Sequence, residues 1–285
     1  MDIEGRRGSS NIEDRRGMRP VRTGVGLSLG GIVFLVVLSL LGINPLPFLG
    51  VATQQQSTGV QQQGPQQPYQ ESSTEAEFHK LAAVTLAETE ETWGRLTGGR
   101  YTPPTMVLYT ESTQTGCGAG QAAMGPFYCP RDQKVYLDLS FFTELGQRFG
   151  APGQFSQAYV IAHEVGHRVQ NLTGTAQRVQ QLQQNAGSQT EANQFSVQME
   201  LQADCYAGVW AHDAAPRLKI TEQDVQDGLA AAKAIGDDTL QRAAQGRVVP
   251  DAFTHGTSEQ RMKWLMVGMK SGNPDDCDTF TARDL

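Results

Sequence analysis

The longest uninterrupted apolar stretch in the chain covers residues 25–43 and contains no charged residue. A helix over these residues, at about 1.5 Å per residue, reaches about 28 Å, close to the ~30 Å hydrocarbon core of a bilayer. Two prolines, Pro45 and Pro47, follow it and favour a sharp end to the helix. The pattern predicts one transmembrane helix over 25–43. The alternatives are a buried soluble helix or a cleaved signal peptide, with a cleavage site near Gly50 and Ala52.

The rest of the chain divides into a linker and one domain. Residues 44–70 are rich in glutamine, proline and glycine, and residues 53–70, of which half are glutamine, cannot form an apolar face, which indicates a flexible linker over 44–70. From residue 71 onward, apolar spacing predicts five helices and two strands. The predicted helices are 74–96, 154–172, 190–212, 221–235 and 258–270, and the predicted strands are 105–110 and 134–139. The expected fold class is therefore α+β, mostly helical with a small sheet.

Charge is distributed unevenly along the chain. The formal net charge is −7, which argues against a nucleic-acid partner. Six arginines lie within residues 1–22, and no basic residue follows the apolar stretch until Lys80. The positive-inside rule then predicts a cytoplasmic tail at 1–24 and a domain at 71–285 that faces the periplasm or the cell exterior.

The four cysteines, Cys117, Cys129, Cys205 and Cys277, all lie in the domain. An even number of cysteines in an exported domain favours disulfides, and three pairings are possible. We predict Cys117–Cys129, which closes a short glycine-rich loop, together with Cys205–Cys277. A zinc site built from all four cysteines is the alternative, although the chain has no C-x-x-C pair.

The motif His163-Glu164-x-x-His167 lies in the predicted helix 154–172. Residues four apart share one face of a helix, so both imidazoles can reach one metal ion, and zinc is the ion that this motif suits. Glu164 sits beside them, where it can contact a metal-bound water. The alternative, two core histidines around a buried glutamate, leaves a buried charge without explanation.

A zinc site needs a third protein ligand. Gln170 and Thr173 stand where the metzincin motif requires glycine and histidine, which excludes that motif. Glu200 and Asp204 are four residues apart on the predicted helix 190–212, so one can bind the metal while the other accepts a hydrogen bond from a histidine. Glu200 is the favoured ligand and Asp204 the favoured histidine partner, with the reverse assignment as the alternative.

These segments resemble a known family. The segments HEVGHRVQNLTG, ELQADCYAGVWAH, GPFYCPRDQKVYLDLSFF and THGTSEQR are similar to the neutral zinc metallopeptidases, which are membrane-anchored bacterial proteins. More distantly, the chain resembles the gluzincin peptidases. The resemblance implies a zincin-like domain in which His163, His167 and Glu200 bind Zn²⁺ and Glu164 is the general base. It also implies that the strand 134–139 lies at the edge of the cleft, where a substrate strand can pair with it.

The resemblance also suggests a donor for the oxyanion that forms during peptide hydrolysis. Gluzincins often supply a histidine or tyrosine from the C-terminal side, and His255 is the candidate here. Its alternative role is that of a capping or surface histidine in a turn. Arg261 and Tyr206 are weaker candidates, whereas His79 and His212 are expected to be structural.

The expected function is a zinc-dependent endopeptidase that acts on a peptide or protein substrate and is held in the membrane by one N-terminal helix. Glu164 would take a proton from a zinc-activated water and pass it to the leaving amine. The alternative from another class is a zinc-stabilised membrane scaffold or binding module without turnover. The presence of Glu164 favours the enzyme, because pseudoenzymes often lose this residue.

Overall fold

The computed structural model describes residues 1–18, 69–282 and 284–285. Within these residues, eight helices and six strands form an α+β fold that is mostly helical, as expected. The strands are β1 Ile12–Asp14, β2 Thr105–Tyr109, β3 Ser112–Thr115, β4 Gly118–Gln121, β5 Phe127–Cys129 and β6 Lys134–Asp138. The helices are α1 Ser73–Leu96, α2 Ser140–Gln147, α3 Gln154–Thr173, α4 Thr175–Gln184, α5 Gln189–Leu218, α6 Glu222–Ala234, α7 Asp237–Gln245 and α8 Ser258–Ser271.

All five predicted helices and both predicted strands are confirmed. Thr221 and Asp224 form a capping box at the start of α6, and Ser72 and Glu75 form one at the start of α1. Helix α5 continues six residues past its predicted end, with Pro216 inside its last turn. The pattern did not predict α2, α4, α7 or four of the strands, because these elements are short or, like α4, almost entirely polar.

The main sheet has four strands in the order β1-β2-β6-β5. β2 is parallel to both β1 and β6, and β5 pairs antiparallel to β6. Strand 134–139 was expected to lie at the edge of the cleft and to pair there with a substrate strand, but it has no free edge for such pairing. β6 is an interior strand because β2 and β5 occupy both of its sides. The edge on that side is β5.

Residues 1–18 belong to the folded domain. Ile12 lies opposite Met106 in the β1–β2 register, and the Ser9 N–H donates to the carbonyl of Ala83 in α1 at 2.9 Å. Ile3 is buried. The sequence predicts a tail at 1–24 that is separate from a domain beginning at residue 71, so this boundary needs correction. The reason is long-range strand pairing, which a three-residue strand does not reveal in its own pattern.

Both predicted disulfides are present. Cys117–Cys129 ties the β3–β4 hairpin region to β5, and Cys205–Cys277 ties α5 to the C-terminal segment. Cys205 and Cys277 are both buried, at 0% and 1% exposure. The alternative of a zinc site made from the four cysteines is therefore excluded.

Helices α5 and α8 cross closely because each presents a glycine at the contact. A Cβ atom on Gly268 of α8 would overlap the carbonyl oxygen of Cys205, and one on Gly208 of α5 would overlap the carbonyl oxygen of Leu265. The two helices therefore pack backbone against backbone. This crossing holds the middle of α5 in place, where Glu200 and Asp204 lie.

Replacing Gly268 with alanine should destabilise the protein by about 1–3 kcal/mol, because the added methyl group must push α8 away from α5. Gly94 in α1 is the matched control, since a Cβ there meets no atom within 4 Å. Gly94→Ala should leave stability unchanged or raise it by up to about 1 kcal/mol. Chemical denaturation of both variants checks this, and equal stability of the two would contradict the close crossing.

In the part of the chain that the structure describes, no helix is both long and apolar enough to cross a membrane. The predicted transmembrane helix 25–43 and most of the predicted linker 44–70 lie outside the described residues.

Candidate metal centre

Helix α3 presents the His163-Glu164-x-x-His167 motif to α5. The motif occupies the second half of α3, which is followed by Gly174 in the left-handed conformation (φ 84°). Gly166, inside the motif, lies directly on α5, where a Cβ would be 3.1 Å from the Cα of Ala203. This close approach brings the two histidines against the face of α5 that carries Glu200 and Asp204.

The three predicted ligands meet at one point. The Nε2 atom of His163 lies 3.1 Å from Glu200 Oε2, and the Nε2 atom of His167 lies 3.4 Å from Glu200 Oε1. One ligand atom from each of the three residues can be chosen so that all lie within 4.8 Å of one another. The sequence therefore identified the three side chains that could hold a metal ion.

These residues fit a zinc ion. Two imidazole nitrogens and one carboxylate form a common catalytic donor set for zinc, and at Zn–ligand distances of about 2.0–2.1 Å a tetrahedral arrangement separates neighbouring ligand atoms by about 3.3 Å. The two Nε2 atoms lie 3.1 and 3.4 Å from different oxygens of Glu200, and one ligand atom from each residue lies within 4.8 Å of the others, so the three side chains are close enough to share one ion. The Nδ1 atom of each histidine is hydrogen-bonded elsewhere, so both Nε2 atoms are available to the metal.

Asp204 accepts a hydrogen bond from His163, with 2.8 Å between Nδ1 and Oδ1. It is fully buried and also accepts from Tyr159 at 2.6 Å and from the Nε and Nη2 atoms of Arg261 at 2.9 Å each. Burial alone would raise the pKa of Asp204, but Arg261 and His163 outweigh it and hold that pKa below its ordinary value. Arg261 is thus engaged with Asp204, which removes it as an oxyanion donor.

His167 has a different partner, Gln170, which sequence reasoning used only to exclude the metzincin motif. The Nδ1 atom of His167 lies 2.8 Å from Gln170 Oε1. Gln170 is fully buried, and its Nε2 donates to the carbonyl of Met199 at 2.7 Å. Its position three residues after His167, on the same face of the helix, was the signal that could have identified it.

Glu164 lies beside the two histidines and is 7% exposed. Among the residues that the structure describes, none hydrogen-bonds its carboxylate. Burial raises the pKa of Glu164, and the neighbouring histidines offset part of that effect. The carboxylate is therefore free to accept a proton from a water molecule at the site.

His255 lies in the turn before α8, and its side chain is half exposed. Asp237, at the start of α7, organises this turn: its Oδ2 accepts from the backbone N–H groups of Thr254 and His255 at 2.7 and 2.6 Å. The adjacent Gly256 packs against Leu201 of α5, so the turn lies next to Glu200, one of the three residues that could hold a metal ion. Sequence reasoning missed Asp237, whose partners lie 17 and 18 positions away.

The remaining candidates have structural contacts. Tyr206 is buried and packs edge-to-face on Trp93, with 5.2 Å between ring centroids. The Nδ1 atom of His212 lies 2.8 Å from the carbonyl oxygen of Met269. Among the described residues, His212 makes no hydrogen bond to those of the metal centre. His79 contacts Arg16 and Glu71 through its Nδ1 atom, as expected for a structural histidine.

Comparison with known proteins adds a family and several relatives. Residues 1–280 match the model of a family described as "putative neutral zinc metallopeptidase". The chain is 49% identical to "uncharacterized protein YpfJ" of Escherichia coli strain K12, over 98% of this chain and 99% of that protein. It is 41% identical to "uncharacterized protein Rv2575" of Mycobacterium tuberculosis strain H37Rv, over 86% of each chain. The comparison with solved structures gives no match.

Proposed function

Because the chain belongs to the neutral zinc metallopeptidase family, we propose that it is a membrane-anchored, zinc-dependent endopeptidase. The observation that carries this proposal is the meeting of His163, His167 and Glu200 beside Glu164, whose carboxylate is free. Anchoring by residues 25–43 and exposure of the domain to the periplasm or the cell exterior are part of the proposal. The two disulfides support an oxidising compartment.

The chemistry divides between the metal and the protein. Zinc held by His163, His167 and Glu200 would supply a Lewis acid that polarises the scissile carbonyl and lowers the pKa of water. Glu164 would accept a proton from the attacking water and deliver it to the leaving amine. His255 would donate a hydrogen bond to the carbonyl oxygen as negative charge develops there.

The substrate in this proposal is an extended peptide segment. β5 is one of the two edge strands of the main sheet and is joined to α3 by a 3.0 Å hydrogen bond from Asn171 Nδ2 to the Tyr128 hydroxyl. An edge strand offers unpaired backbone groups to which an extended peptide can add. β5 therefore replaces strand 134–139 as the expected pairing partner of the substrate.

The full chain in detergent should cleave an unfolded protein when loaded with zinc. Chelation should stop cleavage and zinc should restore it, because the residues described supply a base but no Lewis acid. A chain that binds zinc at one ion per molecule and cleaves no unfolded or native protein would instead favour the non-catalytic scaffold.

Glu200→Ala should reduce zinc affinity at least as much as Asp204→Ala, because Glu200 faces both Nε2 atoms whereas Asp204 faces only the Nδ1 of His163. Zinc content after competition with a chelator measures this. Retention of zinc by Glu200→Ala together with complete loss in Asp204→Ala would identify Asp204 as the ligand.

A further inference from the structure

Two buried glutamines connect His167 to a disulfide. Gln170 accepts from His167 through Oε1, and its Nε2 donates to the Met199 carbonyl and to Gln202 Oε1 at 3.1 Å. Gln202 in turn donates through Nε2 to the carbonyl of Cys277 at 3.0 Å. The result is a hydrogen-bonded chain from a metal-binding histidine to the Cys205–Cys277 disulfide.

The backbone partners of the two glutamines fix which end of each side-chain amide donates and which accepts in this series of hydrogen bonds. A carbonyl oxygen only accepts hydrogen bonds, so the group of Gln170 that faces Met199 must be its NH₂, and the group that faces His167 must be its oxygen. An oxygen beside His167 requires a proton on Nδ1. The Nε2 atom then carries a lone pair directed at Glu200 and the metal position.

The two histidines are thus held in different ways. His163 is paired with a buried carboxylate, whereas His167 depends on a neutral amide that is 0% exposed. A neutral partner fixes the tautomer without adding a second negative charge near Glu200. Burying an amide is costly unless its groups are paired, so Gln202 and the Cys277 carbonyl are needed to hold Gln170 in this orientation.

We propose that Gln170 is a positioning residue that keeps His167 in the Nδ1–H tautomer, and that Gln202 anchors it to the disulfide-bonded Cys277. This inference rests on the proposed function, since it concerns the orientation of a zinc ligand. Loss of an outer-shell partner of this kind costs roughly 10- to 100-fold in metal affinity.

The test is Gln170→Met, which keeps the size of the side chain and removes its hydrogen-bonding groups. Zinc affinity of the full chain should fall by about 10- to 100-fold, and ¹⁵N-histidine spectra of the metal-free protein should show His167 losing its Nδ1–H tautomer. Gln183→Met is the matched control, because Gln183 also links two helices, by a 2.8 Å bond to Ser196, but touches no histidine.

A second comparison tests the anchor. Replacing both Cys205 and Cys277 with serine should weaken zinc binding more than replacing both Cys117 and Cys129. An unchanged tautomer and affinity in Gln170→Met would overturn the positioning role, even if the protein proves to be a zinc peptidase. A wild-type chain that binds no zinc would instead overturn the proposed function, while the spectra would still report the tautomer.

A separate observation concerns the arginine-rich N-terminal segment. Arg16 is buried and bonds Asp14 and Glu71 at 2.6 Å each, with its guanidinium 4.9 Å from the Tyr69 ring centre. Arg6 lies 3.8 Å from Glu88 of α1. These arginines are therefore neutralised by carboxylates of the chain and are less available to anionic lipid.

Gly17 and Tyr69 are neighbours on the domain. A Cβ on Gly17 would lie 3.2 Å from the Tyr69 ring, so residues that are 52 positions apart in the sequence lie side by side. Strand pairing and these ion pairs cannot form through a bilayer with a ~30 Å core. We infer that residues 1–18 lie on the same side of the membrane as the domain, contrary to the placement that the positive-inside rule predicts. Segment 25–43 would then anchor the chain without crossing the bilayer as a single transmembrane helix.

Labelling of engineered cysteines tests this arrangement, because no native cysteine is free. Ser10 and Gln180 are both exposed, the first beside β1 and the second on α4. In intact cells a membrane-impermeant maleimide should label Ser10→Cys and Gln180→Cys alike, and after permeabilisation it should label both. Labelling of one variant in intact cells while the other reacts only after permeabilisation would overturn the inference.

Discussion

Replacing Glu164 with glutamine should leave zinc bound and reduce peptide hydrolysis by about 10²- to 10⁴-fold, the usual contribution of a general base. The amide keeps the size of the side chain but cannot accept a proton from water. Glu164 is not among the three residues that meet at the metal position, so zinc content should stay at the wild-type value. Hydrolysis rate and zinc content of the same preparation measure both effects.

Two further variants serve as controls for this result. His163→Ala should lose both zinc and hydrolysis because it removes a ligand, and Glu144→Gln, which changes an exposed glutamate on α2, should alter neither. Undiminished hydrolysis in Glu164→Gln would show that another group takes the proton.

Asp204→Ala should lower the free energy of unfolding by about 3–5 kcal/mol, because it leaves the Arg261 guanidinium buried without its partner. Arg261 is 3% exposed, and both of its bonds to Asp204 are 2.9 Å long. The variant should also bind zinc more weakly, since His163 loses its hydrogen-bond acceptor. Denaturant unfolding and zinc competition measure the two effects separately.

The double variant Asp204→Leu, Arg261→Met separates stability from metal binding. Replacing a buried ion pair with apolar side chains is often neutral or stabilising, so much of the lost stability should return. Zinc affinity should remain low because His163 still lacks its partner. Asp251→Ala, on an exposed carboxylate, is the control. A loss below about 1 kcal/mol in Asp204→Ala would contradict the importance of this pair.

The parts of the site that the sequence predicted are those encoded by helical spacing. His163 and His167 are four residues apart, as are Glu200 and Asp204, and both pairs lie in long helices. Once both helices are assigned, the chemistry of the side chains limits which pairs can share a metal. The two disulfides were predicted correctly because four cysteines allow only three pairings, and one of these closes a short glycine-rich loop.

The parts that the sequence did not reveal depend on contacts between distant residues. Gln170 is a polar residue in a buried helix, and its role becomes visible only when Met199 and Gln202 of α5 lie beside it. Asp237 serves a turn that follows it by more than a dozen residues. Neither contact changes the local hydrophobic pattern from which helices and strands are predicted.

The pairing of the N-terminal segment with the domain was also not predicted, because its partner strand is far away in the sequence. β1 has three residues, and its partner β2 begins at Thr105, on the far side of the predicted membrane segment and linker. A rule that counts arginines beside an apolar stretch assumes that those charges are free. Here Arg6 and Arg16 are paired with carboxylates, which the composition alone could not show.

The most direct test of the metal centre is anomalous diffraction at the zinc edge from crystals of the zinc-loaded chain. The arrangement of donors predicts one strong peak within about 2.0–2.2 Å of His163 Nε2, His167 Nε2 and a Glu200 oxygen. Absence of a peak there, or a peak bound through Asp204 in place of Glu200, would contradict the assignment of this site.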